Sequence, residues 1–204
     1  MIKNRILFKI PFFLLYSRLV VAFFITIFSF IKISPTIIIA LTIYAIVSDI
    51  FDGIIARKLK ISSKEMRRLD TKIDTIFWFS CLFYICLNHA DFLKSHLLKI
   101  GILVFSELLI TLFGFLKFHE RISYHTILSK FWALLLLWFV VTLISKNSAT
   151  LSFEIAFWYG IVVQLEILLI AIILKNNQTD IPNVCQAIKF KKGHKITKHY
   201  LFNG

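Results

Sequence analysis

Acidic residues are scarce in this chain. Of its 204 residues, 11 are Asp or Glu against 24 Lys or Arg, and the net charge is +13. Five of those eleven, Asp49, Asp52, Glu65, Asp70 and Asp74, nevertheless fall between Ser48 and Asp74. Cysteine is sparser still. Cys81 and Cys86 lie in an apolar run and Cys185 in the C-terminal tail. An odd count of three, with no Cys-x2-Cys or Cys/His spacing, argues against a disulfide framework and a zinc site. Packing is the role left for these thiols. The alternating pattern of a membrane barrel is missing, as are internal repeats and any nucleic-acid motif. Without such a motif, Lys and Arg placed between and beyond apolar runs read as membrane topology and contact with anionic lipid. The opening residues, with Lys3, Arg5 and Lys9 before an apolar run, imitate a signal peptide. No small-x-small cleavage site follows and Arg18 interrupts the run, so it reads as a retained helix.

What is abundant is oil. Hydrophobic residues make up 58% of the chain and mean hydropathy is +0.81, above the roughly 45–50% apolar content of soluble domains. The apolar residues come in runs of about 20, the length a helix needs to cross a bilayer. The pattern predicts an all-α integral membrane protein. A short interfacial helix over residues 1–10 leads into six transmembrane helices at about 11–31, 35–57, 67–89, 97–117, 125–145 and 151–174. Residues 11–174 form one six-helix domain, and 175–204 a basic, solvated tail. Eighteen of the Lys and Arg residues flank one set of helix ends and four the other. By the positive-inside rule both termini and the Ser48–Asp74 stretch face the cytoplasm, and the protein is multi-pass in a cell inner membrane.

The carboxylates carry the chemistry. Asp49 and Asp52 are three apart at the end of the second helix; Asp70 and Asp74 are four apart at the start of the third. Each pair shares a helix face, and a short loop makes the two helices antiparallel neighbours. Four converging carboxylates repel unless a cation joins them. Hard oxygen donors with no Cys or His point to Mg2+, Mn2+ or Ca2+. Gly53 and Ala56 leave one face without bulk, and the fork of Arg57, one turn beyond Gly53, suits phosphate oxygens. The ordinary alternatives are helix-end charges that pair with Arg57 or Arg68, and small residues that allow close helix packing.

The run Asp49-x2-Asp52-Gly53-x2-Ala56-Arg57-x8-Met66-x3-Asp70-x3-Asp74 resembles the signature of the CDP-alcohol phosphatidyltransferase family, D-x2-D-G-x2-A-R-x8-G-x3-D-x3-D. Seven of the eight fixed positions match; Met66 stands where the family has glycine. The resemblance implies a six-helix membrane enzyme that moves a phosphatidyl group from CDP-diacylglycerol to an alcohol and releases CMP. It implies Asp49, Asp52, Asp70 and Asp74 as ligands of Mg2+ or Mn2+, with Asp74 also the base for the acceptor hydroxyl. Gly53 and Arg57 would contact the CDP group, and Ser63, or the adjacent Ser62, would lie near the nucleotide. A homodimer is implied as well.

Elsewhere the likeness is thinner. Relatives carry N-x2-T-x2-R in the first helix, where this chain has Phe12, Leu15 and Arg18. A buried Arg18 requires an anionic partner and is assigned to substrate binding. Glu107 and the segment His125 to Trp132 resemble parts that line the acceptor pocket in relatives, with Lys130 assigned to an acceptor phosphate. Glu166 requires a polar partner that the sequence does not identify. Glycerol 3-phosphate is the favoured acceptor, ahead of serine and inositol phosphate. Two competing functions are a phosphotransferase that joins a CDP-alcohol to diacylglycerol, and a divalent-cation transporter or sensor. A transporter predicts carboxylates spread along a pore, whereas here they gather at one membrane face.

Overall fold

Every described element is a helix. The structure, a computed structural model, describes residues 2–31, 33–59, 61, 63–124, 126–178 and 181–194, with side chains from residue 10 onward except residue 64. In chain order the helices are α1 (Ile2–Phe28), α2 (Pro35–Lys58), α3 (Lys64–Asn88), α4 (Ala90–Phe118), α5 (Ile127–Lys146), α6 (Thr150–Ile173) and α7 (Val184–Lys191). No strand occurs among the described residues.

Five helices, α1, α2, α4, α5 and α6, are long and apolar enough to cross a membrane. They carry exposed Phe, Leu and Ile side chains, such as Phe13, Phe23, Leu98, Leu116, Leu151 and Ile155, as surfaces facing lipid do. The multi-pass character of the chain follows. The expected third span is different. α3 has 25 residues, about 37 Å of helix, but its N-terminal half carries Glu65, Arg67, Arg68, Asp70, Lys72 and Asp74. Only its C-terminal half is continuously apolar.

The N-terminus also departs from the expected arrangement. No separate interfacial helix precedes the first span: α1 is continuous from Ile2 to Phe28 with Pro11 inside it. Proline removes one backbone hydrogen bond, and here the rest of the ladder carries the helix through. Pro11 lies within the apolar stretch Ile10–Phe28 and does not break the helix.

The chain forms two compact units. One is Met1–Ser95 with Leu137–Ala149; the other is His96–Leu136 with Thr150–Gly204. Helices α4 and α5 each contribute one end to each unit. In the first unit α1 packs against both α2 and α3. Its buried stripe reads Leu15, Arg18, Ala22, Ile25 and Ser29, a spacing of three and four that winds along one face. On α2 the matching stripe is Ile38, Thr42, Ala45, Ile46, Ser48, Asp52 and Ala56. Polar members of these stripes satisfy themselves locally: the hydroxyls of Ser29, Thr42 and Ser48 donate to carbonyls of Ile25, Ile38 and Ala45 at 2.8 Å each. Arg18, Asp52 and Ser48 interrupt what would otherwise be an apolar seam.

The second unit has a core of Ile110, Ile122, Tyr124, Ile170, Ala171, Leu174, Ile181 and Ala187. Part of the expected solvated tail belongs to it. Asn183 caps α7, its side-chain oxygen accepting from the Gln186 N–H at 3.0 Å, and α7 packs on α6. Lys117 Nζ donates to the carbonyls of Ala171 and Ile172 at 2.8 and 3.0 Å, a favourable placement for a cation at a helix C-terminus. Trp132 lies on α6 where Gly160 removes the obstacle. A Cβ there would meet the indole at 2.7 Å, and the Trp132 ring N–H donates to the Ala156 carbonyl at 2.9 Å.

Two outcomes follow for this unit. Gly160→Leu forces the indole out of its seat and lowers stability by about 1–3 kcal/mol; an unchanged unfolding temperature in detergent would contradict the close approach. Tyr124 is buried with no hydrogen-bond partner for its hydroxyl among the described residues, and burial holds its phenol above the ordinary value. Its neutral form is the one the fold accepts, so its stabilising contribution is present below about pH 10 and is lost as pH rises above that. Tyr124→Phe is therefore expected to keep or raise stability by about 1 kcal/mol, since an orphan hydroxyl is removed, and to blunt the alkaline loss in a pH series of melting curves.

Candidate functional site

Local sequence sets the carboxylates on two helices. Asp49 and Asp52 lie near the C-terminal end of α2, and Asp70 and Asp74 in the first half of α3. The last turn of α2 holds Arg57 and Lys58, which complement the negative pole of the helix. α3 begins at Ser63, whose Oγ accepts a hydrogen bond from the Met66 N–H at 3.1 Å. Removal of such a cap costs about 1 kcal/mol. Glu65 follows in the first turn, where an anion is favoured.

Arg18 enters from α1 and meets all four carboxylates. Nη1 donates to Asp49 Oδ1 at 2.8 Å and to Asp74 Oδ1; Nη2 donates to Asp52 Oδ2 at 2.8 Å and to Asp70 Oδ1. Each terminal nitrogen takes one carboxylate from α2 and one from α3, so a single side chain ties three helices together. Arg18 is fully buried, and Asp52 and Asp70 are buried too. Asp49 and Asp74 keep side-chain exposures of 36% and 32%, so the cage opens on their side. The anionic partner that a buried Arg18 requires is the aspartate cluster itself.

The residues fit a divalent cation. Asp49, Asp70 and Asp74 each offer one carboxylate oxygen, and the three oxygens lie within 4.8 Å of one another. All the donors are hard oxygens, the chemistry that Mg2+ and Mn2+ take. One guanidinium meets four carboxylates. Arg67, buried three residues before Asp70, adds positive charge that acts on Asp52. Sequence reasoning passed over Arg67, which looked like one more loop-side cation. Its signal was its position one turn before Asp70 on the same helix face.

The other expected residues are dispersed. The Arg57 guanidinium lies back over Gly53, with Nη1 3.1 Å from where a Cβ on Gly53 would sit. The glycine therefore makes room for Arg57 itself. Ser63 has a local use as the cap of α3. Lys130 is in the first turn of α5, in the second unit, where its backbone N–H donates to the Thr126 carbonyl at 3.4 Å. In that unit too, Glu107 Oε1 pairs with Arg121 Nη2 at 3.5 Å. Glu166 lies on α6 in the second unit, near the Thr126 side chain and the Val184 backbone, and its buried Oε2 has no hydrogen-bond partner among the described residues. Ser62 and His125 lie outside the described residues.

The two departures from the family pattern nearest the site fall in one apolar cluster. Met66 and Leu15 are both buried, and with Ala56 and Ile73 they form one apolar cluster, flanked by Leu19, Ile61 and Leu69. Leu15 stands one turn before Arg18 on α1. Phe12, the third departure, is 40% exposed. Met66 thus fills space beside the cage with packed hydrocarbon, and its flexible thioether suits an irregular gap.

A family model described as CDP-alcohol phosphatidyltransferase matches residues 8–185. No curated protein and no solved structure matches the chain.

Met66→Ala leaves a cavity in the Leu15–Ala56–Ile73 cluster and is expected to cost about 2–5 kcal/mol. Thermal unfolding of the purified variant checks this, and a melting curve that overlays the parent would show that Met66 is not part of a packed core.

Proposed function

We propose that this chain, which belongs to the CDP-alcohol phosphatidyltransferase family, transfers the phosphatidyl group of CDP-diacylglycerol to glycerol 3-phosphate and releases CMP. Enzymes of this family are phosphotransferases of phospholipid synthesis. They take their group from a CDP-alcohol, pass it to an alcohol acceptor and generally depend on a divalent metal. The observation that carries the proposal is the meeting of Asp49, Asp52, Asp70 and Asp74 at one point, three of them in ion-binding range of one another.

In this reading the four aspartates hold Mg2+ or Mn2+. The ion, when bound, neutralises the pyrophosphate and the charge that develops on departing CMP. Asp74, on the open side of the cage, accepts the proton of the acceptor hydroxyl. The acceptor oxygen forms a bond to the phosphorus that carries diacylglycerol, the bond from that phosphorus to the CMP oxygen breaks, and CMP leaves with the electron pair. Gly53, Arg57 and Ser63 form the nucleotide side, and Arg18 gives positive charge to the pyrophosphate.

The same reading orients the chain. With α3 counted as a sixth span, its charged first half at the membrane boundary, both termini fall on one side, and the excess of Lys and Arg makes that side cytoplasmic. The cage then opens to the cytoplasm, where a water-soluble acceptor and a lipid-borne donor can meet. An inner-membrane, homodimeric enzyme is the form proposed.

The deciding assay gives purified protein labelled CDP-diacylglycerol with Mg2+ or Mn2+, and measures CMP after addition of glycerol 3-phosphate, serine, inositol or inositol phosphate. A parallel arm offers a CDP-alcohol with diacylglycerol. Release of CMP with glycerol 3-phosphate is expected; silence with every pair of substrates overturns the proposal. Asp74→Asn is expected to slow turnover by about 10²–10⁴-fold while donor binding persists, and near-parental turnover would remove Asp74 as the base.

A further inference from the structure

The aspartates that would hold a divalent ion already hold a cation. Arg18 donates to Oδ1 of Asp49, Asp70 and Asp74, the three carboxylates in ion-binding range, and to Oδ2 of Asp52. A guanidinium in hydrogen-bond contact with all three lies between them. A small divalent ion needs oxygens from the same three at about 2.0–2.2 Å. Two cations within a few ångströms repel strongly where water is scarce, and Arg18 is fully buried.

We propose that Arg18 is a tethered counter-cation that competes with the divalent ion for this cage, so that entry of the ion displaces the guanidinium from Asp49, Asp70 and Asp74. The inference rests on the metal-binding reading above and adds to it a regulation of that site by the chain's own cation. Three observations support it. Among the described residues the buried Arg18 Nε has no hydrogen-bond partner, so the guanidinium is held by the carboxylates alone and its release breaks no other polar contact. One oxygen from each of Asp49, Asp70 and Asp74 lies within 4.8 Å of the other two, close enough for one small ion to replace the guanidinium among them. Asp49 and Asp74 are the exposed pair, so an ion arriving from outside first meets two carboxylates that share one guanidinium nitrogen.

The device has a use on both sides of the exchange. Before the ion arrives, Arg18 lets two pairs of like charges pack across α2 and α3. Once displaced from those three, its charge stays tethered beside the cage, on the Asp52 side, free to meet the pyrophosphate of the donor. Binding of the ion and of the nucleotide donor are coupled through one side chain.

The test compares the full-length protein with Arg18→Gln and Arg18→Lys in the same detergent. Mn2+ affinity is measured by calorimetry, and unfolding temperature with EDTA and with Mn2+. Arg18→Gln is expected to bind Mn2+ about tenfold tighter or more, to melt lower in EDTA, and to gain more from Mn2+ than the parent. Millimolar guanidinium should raise the melting temperature of metal-free Arg18→Gln and weaken its Mn2+ binding, with neither effect on the parent. A merely structural arginine would not produce that competition. Arg18→Lys, whose ammonium cannot reach four carboxylates as a fork does, should fall between the two, and it carries the test if Arg18→Gln does not fold. Equal or weaker Mn2+ binding in the variants overturns the proposal and leaves the metal reading standing; no Mn2+ binding by any of the three proteins overturns both.

Discussion

Four like charges brought together on the faces of two helices have to be neutralised, and the first unit is arranged around that demand. The guanidinium of Arg18 meets it from a third helix, with one terminal nitrogen for each cross-helix pair of aspartates. Loss of one partner from a buried ion cluster costs about 3–5 kcal/mol, since the remaining charges are left uncompensated. The packing of α1 against α2 and α3 is therefore tied to the chemistry of the site. The element that covers the cage also supplies its counter-charge.

The surroundings of the cage are set by a different force. Beside Arg18 the apolar cluster of Leu15, Ala56, Met66 and Ile73 is packed and buried. Two of its members stand where the family signature has small or polar residues. Because they touch the same cluster, the departures are best understood as one change: a larger side chain on α3 and an apolar one on α1 that fill a shared volume. Close-packed interiors respond to single methylene groups, so a change at one of these positions places a demand on the other.

The membrane character of the chain and its helical class were legible because hydrocarbon imposes a simple rule: each spanning segment satisfies its own backbone, and about 20 apolar residues are needed. That rule says little where charges enter. α3 has the length of a span, yet its charged half gives way to oil only after Asp74. The continuity of α1 through Pro11 and the return of α7 onto α6 were likewise not legible. Proline is a strong local signal for a break, which the rest of the helix overrode. α7 has eight residues, and its place depends on contacts with Ile170, Ala171 and Leu174, more than ten residues away in sequence.

The sequence alone determined which residues form the cage. Spacings of three and four put Asp49 with Asp52 and Asp70 with Asp74 on shared helix faces, because side-chain periodicity within a helix is local geometry. It also determined that a buried Arg18 had to find an anion. Tertiary structure alone decided that this anion is the cage, that Arg57 lies over Gly53, that Ser63 caps α3, and that Met66 and Leu15 share one apolar cluster. Each of those contacts, apart from the local ones at Gly53 and Ser63, joins residues more than thirty positions apart. Such pairings depend on which helix faces meet, a choice made by the whole set of packing surfaces rather than by any one segment.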